Sequence, residues 1–224
     1  MCGRYTLYTE TYDWAAQGVA WPLEEDFDWT PSYNIPPGVL APVVPNLARP
    51  AITLYQWGLV PHWAKDSTIG NRLINARAET LAQKPAFSRS FSQRRCLVLA
   101  DGFYEWQTQG RRKTPFFIRT RSHNLMGLAG LWEQWIAPDG EKLKSFTIVT
   151  APPNELIAPI HNRMPIILAP EAYQQWLAPG LQPVEALSKL LVPYPSQELE
   201  AYTVSALVNN PANNTAECIN HLNE

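Results

Sequence analysis

The sequence has few cysteines, no long apolar run and none of the short motifs that mark several large enzyme classes. Three cysteines lie far apart among 224 residues, which argues against a disulfide framework and against a CxxC-type zinc site. No run approaches about 18 consecutive apolar residues, so no membrane span is predicted. The N-terminus lacks the basic-then-apolar pattern of a secretory signal, so we expect a cytoplasmic protein. HExxH, GxGxxG, P-loop and GxSxG motifs are also missing, and we expect neither a metal nor a cofactor.

Charge is distributed unevenly along a chain whose formal net charge is only −2. Residues 1–30 carry one basic and six acidic side chains, and residues 164–224 carry the same numbers. The middle segment, 31–163, carries 16 basic and 8 acidic side chains. A basic centre between acidic ends permits a polyanionic partner such as nucleic acid, although the charge pattern by itself favours a chance clustering of cations.

Proline and tryptophan are abundant, at 21 and 9 residues, and this proline content predicts loops and short strands rather than long helices. The β-rich runs span 39–45, 51–60, 94–106, 114–120, 124–135, 145–151, 164–168 and 201–205. The helical patterns are 76–91 (broken near Pro85), 153–160, 170–179 and 183–191. Strands and helices do not alternate regularly, so we predict one α+β domain over residues 1–224. Its sheet should be large, curved, mostly antiparallel and barrel-like, with short flanking helices.

The chain begins with "MCGR", which places a cysteine at the second position. Removal of Met1 would leave an α-amine and a thiol on the same residue, Cys2. Such a 1,2-aminothiol has chemistry that neither group has alone. The alternative is an incidental small buried thiol, although a chain end rarely lies deep in a core.

Two polar side chains, Asn75 and Arg77, occur where an apolar strand-like run gives way to a helical pattern. If the backbone is extended there, residues two apart in sequence share one side of the strand. The alternative is a helix cap for Asn75 and a surface ion pair for Arg77, and the local sequence alone favours that alternative.

Glu105 lies between Tyr104 and Trp106 in the segment "LADGFYEW". A carboxylate flanked by aromatic bulk is expected to be partly desolvated, which raises its pKa and suits it to proton exchange near neutral pH. The pattern fits equally well a solvent-facing strand residue whose aromatic neighbours lie on the opposite face.

His161 is the one histidine of four that lies between apolar stretches, in "IAPIHNRMPIIL", with Arg163 two residues further on. Such a histidine either takes part in proton transfer or is simply half-buried with its hydrogen bonds satisfied, and the second case is the more common.

Taken together, these segments resemble the SOS-response-associated peptidase (SRAP) family. The match extends from Cys2 to about Ile219 and consists of eight motifs in the family's order, namely MCGRY, YNIPP, WGLVPHW, INARAET, DGFYEW, PFFI, IHNRMP and VNNPANNTAECI. The resemblance implies a protein that shields abasic sites in single-stranded DNA. In the family, the mature N-terminal cysteine forms a covalent thiazolidine link with the ring-opened abasic sugar. We therefore expect a monomer that is nucleoid-associated when it is bound to DNA.

The resemblance also assigns roles to individual residues. Cys2 matches the crosslinking cysteine, and Asn75, Glu105 and His161 match the other active-site positions. The positions that line the DNA cleft in the family are Arg4, Trp63, Arg77 and Arg163. Some members have a second tryptophan where this chain has Ala64, so here only Trp63 of that pair is present to stack on a base.

One alternative from another class also begins Met-Cys-Gly, namely the class II glutamine amidotransferases, whose processed N-terminal cysteine is an amidohydrolase nucleophile. Their usual continuation is apolar, whereas Arg4 follows here, and their glutamine-site motifs are not found. Autoproteolytic or peptidase-like activity and non-catalytic binding of modified DNA bases are two further alternatives. All three explain Glu105 and His161 less well.

Overall fold

A computed structural model describes residues 2–222, so the predicted removal of Met1 lies outside the described residues. The strands are β1 (Tyr5–Leu7), β2 (Ser32–Ile35), β3 (Leu40–Pro45), β4 (Thr53–Trp57), β5 (Asn75–Arg77), β6 (Arg95–Ala100), β7 (Gly102–Gln109), β8 (Arg112–Thr120), β9 (Met126–Ile136), β10 (Lys142–Ala151), β11 (Met164–Pro165), β12 (Ile167–Leu168) and β13 (Leu199–Thr203). The α-helices are α1 (Ser88–Gln93), α2 (Tyr173–Trp176) and α3 (Val184–Ser188). Short 3-10 helices span Thr11–Asp13, Ala15–Gln17, Ser67–Arg72, Ala78–Thr80, Pro170–Ala172, Ser196–Glu198, Ala206–Asn209 and Ala216–Ile219. Within residues 2–222, no helix has the length and apolar character needed to cross a bilayer.

Five strands close into a small barrel in the order β10-β4-β3-β6-β9, because β9 pairs back onto β10. The β10–β4 pairing is parallel, and the other four pairings of the ring are antiparallel. All six residues of β6 are buried, since α2 covers its outer side and Trp176 Nε1 donates to the Cys96 carbonyl at 2.9 Å. The predicted mostly antiparallel, barrel-like sheet with short helices is confirmed.

The second sheet is antiparallel throughout, in the order β13-β8-β7-β1-β2. The predicted run 94–106 crosses from one sheet to the other, because β6 ends and β7 begins on either side of Asp101. The buried Asp101 carboxylate accepts hydrogen bonds from the Tyr8 and Thr9 amides at 2.5 and 2.9 Å. At Gly102 an added Cβ would lie 2.2 Å from the Phe117 ring, so only glycine fits this corner. The corner brings β7, and with it Glu105, beside the N-terminal strand.

The predicted helix over 76–91 is wrong for its first part. Residues Asn75–Arg77 form β5, which pairs in parallel with β10, and only Ser88–Gln93 are α-helical. A tertiary pairing with the barrel outweighs helix propensity here, and Pro85 blocks a continuous helix between the two parts. The helices predicted at 170–179 and 183–191 are present but shorter, while 153–160 forms turns without an α-helix.

Candidate active site

Cys2 is fully buried and lies three residues before β1 begins. Antiparallel pairing places Tyr5 opposite Phe103, and the Tyr104 amide donates to the Arg4 carbonyl at 3.0 Å. The same register places residue 105 opposite residue 3, so Glu105 lies next to the N-terminal segment. Burial, with the nearby Glu105 charge as a second cause, raises the pKa of the Cys2 thiol well above its ordinary value. The thiol is therefore protonated at neutral pH.

Asn75 holds the Cys2 backbone directly. Its Nδ2 donates to the Cys2 carbonyl at 2.8 Å, and β5 fixes its position by pairing Asn75 with Ile148 of β10. The buried Oδ1 atom has no hydrogen-bond partner among residues 2–222. The extended backbone puts Asn75 and Arg77 on one side of the strand, with the buried Ala76 on the other. The interpretation of Asn75 as a helix cap is wrong.

The Glu105 carboxyl is almost completely buried, and that burial raises its pKa to about 7. The cause of the burial differs from the one expected from the sequence. Tyr104 and Trp106 pack in a separate cluster with Phe117 on the opposite face of β7. Glu105 instead shares the face of Phe103, which belongs to the main core. Glu105 is thus desolvated by the core between the two sheets and not by its sequence neighbours.

His161 approaches Glu105 from the loop that precedes β11. Its Nδ1 lies 3.8 Å from Glu105 Oε2, and the Arg163 amide donates to the same Nδ1 at 3.1 Å. Burial lowers the pKa of His161, so the neutral ring predominates at pH 7. Asn75, Glu105 and His161 therefore reach one place from three elements that are distant in sequence.

Trp63 and Arg77 lie in a groove that leads to this place. Trp63 is 52% exposed and forms a wall shared by two neighbouring recesses of about 530 and 550 Å³. The second recess is lined by Arg77 and also by Asn75, which connects it to Cys2. Three further cations line the recesses and were missed in the sequence, namely Lys65, Arg72 and Lys84. The positive charge of residues 31–163 was their only signal, because each is an isolated cation in its local sequence.

The structure places Arg4 and Arg163 differently from the groove cations. Arg4 Nη1 donates to Asn34 Oδ1 at 2.6 Å and to the Val208 carbonyl at 3.0 Å, which ties β2 to the segment after β13. Both terminal nitrogens of Arg163 bond to the Glu79 carboxylate, at 2.5 and 2.9 Å. These guanidinium groups make internal contacts, whereas Arg77 is exposed in the groove.

A family model described as "SOS response associated peptidase (SRAP)" matches residues 1–211, and the chain belongs to this family. Membership separates it from the class II glutamine amidotransferases, with which it shares only the first three residues, Met-Cys-Gly.

Curated relatives and a solved structure are similar to this chain over nearly its whole length. The abasic site processing protein YoqW of Bacillus subtilis is 42% identical, with 98% of this chain and 99% of the relative covered. The abasic site processing protein HMCES of Xenopus tropicalis is 33% identical, with 98% and 78% covered. A crystal structure of a protein from Bacteroides thetaiotaomicron has the same fold, with a TM-score of 0.87, 24% identity and coverage of 98% and 99%.

Proposed function

We propose that this protein binds single-stranded DNA and forms a covalent thiazolidine link between Cys2 and the aldehyde of an abasic site. One observation carries the proposal: a buried N-terminal cysteine, held by Asn75, lies beside Glu105 and His161 at the end of a basic groove. The names of YoqW and HMCES, both abasic site processing proteins, support the same substrate.

The chemistry uses both nucleophiles of Cys2 in turn. After removal of Met1, the α-amine, with an ordinary pKa of roughly 7.7–8.0, is partly neutral at pH 7 and attacks the aldehyde carbon. The carbinolamine loses its hydroxyl as water, which leaves an imine. The thiol sulfur then adds to the imine carbon while its proton passes to the imine nitrogen, and a five-membered ring closes. The sum is aldehyde plus aminothiol giving thiazolidine plus one water, and the intramolecular second step has a high effective molarity.

Glu105 is the proton donor and acceptor in this proposal. With a pKa of about 7, the carboxyl group exists in comparable protonated and ionised amounts at neutral pH. The protonated form donates to the departing hydroxyl, and the ionised form takes the thiol proton and passes it to the imine nitrogen. The His161 Nδ1 atom lies 3.8 Å from Glu105 Oε2. Because the ring is neutral at this pH, it can exchange a proton with the sugar hydroxyl. The unpartnered Asn75 Oδ1 is an acceptor for the attacking amine.

The groove supplies affinity without sequence preference. The exposed Trp63 offers a face on which any base stacks, and the cations on both sides of it offer phosphate contacts. Such contacts release counterions, so binding should weaken as salt concentration rises. Such a protein recognises the abasic site by the aldehyde group of the sugar. It recognises the DNA strand by the phosphate backbone and the stacked bases.

The test is a denaturing gel of purified protein mixed with a uracil-containing oligonucleotide, with and without uracil-DNA glycosylase. A slow-migrating species is expected only in the glycosylase lane, where abasic sites exist. Prior reduction of the abasic aldehyde with borohydride should remove this species, because no carbonyl is left to attack. A glycosylase lane without the species would refute the proposal.

A further inference from the structure

The hairpin formed by β7 and β8 extends from the active site into solvent. Its strands pair antiparallel as far as Gln109 and Arg112, and residues 110–111 form the turn. Gly110 has a φ of +60°, a left-handed conformation that two-residue hairpin turns require and that glycine adopts without strain. Burial along β7 ends after Glu105, so the outer half of the hairpin projects beyond the core.

The tip of the β7–β8 hairpin carries a cluster of positive charge. Arg111, Arg112 and Lys113 are consecutive and exposed, and no acidic residue occurs in the sequence from 106 to 120. None of the three cations forms an ion pair within residues 2–222. The charge of the cluster is therefore not balanced by the protein and is open to an anionic ligand.

One face of the hairpin connects this cluster with the active site. Side chains alternate along a strand, so Gln107 and Gln109 share the face of Glu105. Arg112 lies opposite Gln109 and therefore shares the same face. Gln109 Nε2 donates to Gln107 Oε1 at 3.1 Å, which makes the strip between Glu105 and the cations polar and continuous. From Glu105 to Gln109 the strand covers about 14 Å, within the length of a single strand of several nucleotides.

The groove around Trp63 reaches the active site from the β5 side. Asn75 begins β5, lines the second recess and donates to the Cys2 carbonyl. In the described part of the chain, the residues that line the two recesses all lie between positions 63 and 87. The β7–β8 hairpin is thus a separate surface from the groove.

The hairpin reaches the active site from the β11 side. Gln107 Nε2 donates to the Pro159 carbonyl at 3.0 Å, in the turn that leads to His161 and β11. Strand β10 separates the two sides, because its Thr150 pairs with β5 on one edge and with β11 on the other. A strand that lies in the groove and presents its sugar to Cys2 would therefore meet the hairpin as it continues past the site.

We propose that Arg111, Arg112 and Lys113 form a second DNA contact, which binds phosphates on the flank of the abasic nucleotide opposite to the Trp63 groove. The inference rests on the proposed crosslinking function and extends it to the path of the strand beyond the lesion. A guanidinium binds a phosphate through two parallel hydrogen bonds, and an ammonium binds it as a point charge. Because phosphates carry no sequence information, the contact adds affinity without sequence preference. The alternative is a solvated hairpin end that binds no ligand.

Two half-site oligonucleotides test this assignment. Each carries a tetrahydrofuran abasic analogue, which has no aldehyde, with about ten nucleotides only on its 5′ side or only on its 3′ side. The triple variant Arg111→Ala, Arg112→Ala, Lys113→Ala removes the hairpin charge, and Trp63→Ala reports on the groove. Arg121→Ala is the matched control, because Arg121 is an exposed cation directly after the opposite end of β8.

Dissociation constants are measured by fluorescence anisotropy over a range of salt concentrations. On an oligonucleotide with both flanks, the triple variant should bind about tenfold more weakly. The slope of log affinity against log salt should fall by up to about 2, since each single-strand phosphate contact contributes about 0.7. The loss should occur with one half-site oligonucleotide and not with the other, and Trp63→Ala should show the reverse preference. Arg121→Ala should behave as the wild type.

The crosslinking rate is the second readout. At saturating abasic DNA, the rate of the triple variant should stay within about twofold of the wild type, because the three cations do not contact the reacting groups. A large loss of rate at saturation would contradict a contact that contributes only to binding.

The other outcomes are equally decisive. Unchanged affinity and salt slope in the triple variant would show that the hairpin end is only solvated. Equal losses with both half-site oligonucleotides would mean that the cations act through the overall charge of the protein. Loss with the same half-site oligonucleotide as Trp63→Ala would place hairpin and groove on one flank and overturn the inference. A wild-type protein that forms no crosslink overturns the proposed function instead, and the half-site comparison still decides whether the hairpin binds DNA.

Discussion

The buried site around Cys2 and the groove around Trp63 adjoin each other but differ in almost every physical respect. Cys2 and Glu105 are nearly inaccessible to solvent, whereas Trp63 is about half exposed. Burial shifts the pKa values of Cys2, Glu105 and His161 away from their ordinary ranges. The groove cations face solvent, where salt screens their charge. Under the proposed function, the buried site carries the chemistry and the groove carries the binding, so each should be open to disruption without the other.

The largest expected effect comes from Cys2→Ala. The variant keeps an N-terminal amine but has no thiol, so it should form at most an imine that survives only after borohydride reduction. Stable crosslink should fall below detection on a denaturing gel, while affinity for a tetrahydrofuran-containing strand stays within about twofold because the groove is intact. Cys218→Ala is the control, since Cys218 is also buried but lies in the other cluster. A stable, unreduced crosslink from Cys2→Ala would show that the thiol is dispensable.

Replacing Glu105 by Gln should slow crosslinking at pH 7 by about a hundredfold, in the range typical of lost general acid–base catalysis. The rate constant is read from a single-turnover gel time course with saturating DNA. DNA affinity should not change, because Glu105 is buried away from the groove. A loss of affinity as large as the loss of rate would mean that the two regions are not separable.

The same substitution should stabilise the fold at high pH. The carboxyl pKa is about 7 in the folded protein against an ordinary value of 4.5, so the folded state retains a proton that the unfolded chain has lost. The free energy of unfolding of the wild type therefore declines as pH rises from about 4.5 through 7. The Glu105→Gln variant does not show this decline, because glutamine does not ionise. Above pH 7 the variant should be more stable by roughly 3 kcal/mol, as measured by urea unfolding at pH 5 and pH 8. An equal difference at both pH values would exclude an ionisable Glu105 as its cause.

Trp63→Ala should weaken DNA binding without slowing the chemistry. Loss of one base stack costs about 1–3 kcal/mol, which corresponds to roughly a 5-fold to 150-fold rise in the dissociation constant. Fluorescence anisotropy with a labelled single strand measures this, and the crosslinking rate at saturating DNA should stay within about twofold. Tyr12→Ala is the control, because Tyr12 is a highly exposed aromatic residue outside the recesses. Equal losses of DNA affinity in both variants would show that Trp63 does not stack on a base.

The smallest effects are expected from single groove cations. Arg72→Ala or Lys84→Ala should raise the dissociation constant a few-fold and lower the slope of log affinity against log salt by about 0.7 each. The exposed Lys142, which begins β10 at the far end of that strand, provides a matched control. If the slope of log affinity against log salt is unchanged in both groove variants, the DNA phosphates bind at another surface.

Particular residues show how far sequence reasoning reached. The family motifs named Asn75, Glu105 and His161 together, and the structure brings them to one place, although each was ambiguous by itself. The residues of strand β5 fell at the start of a predicted helix. They are extended because they pair with β10, and the local sequence does not indicate that pairing. The strands β1 and β2 were not predicted, since three or four residues give too short a pattern. The Glu79–Arg163 pair joins residues 84 positions apart, which no local pattern indicates.

The most direct test of the account identifies the atoms that carry the DNA. Protein crosslinked to an abasic oligonucleotide is digested with nuclease and trypsin, treated with iodoacetamide and analysed by tandem mass spectrometry. We predict a peptide that begins at Cys2 without Met1. It should carry the sugar remnant with the mass of one water lost, and its Cys2 thiol should be protected from alkylation. A remnant on a lysine side chain, or a Cys2 thiol that is alkylated in the crosslinked fraction, would contradict the thiazolidine account.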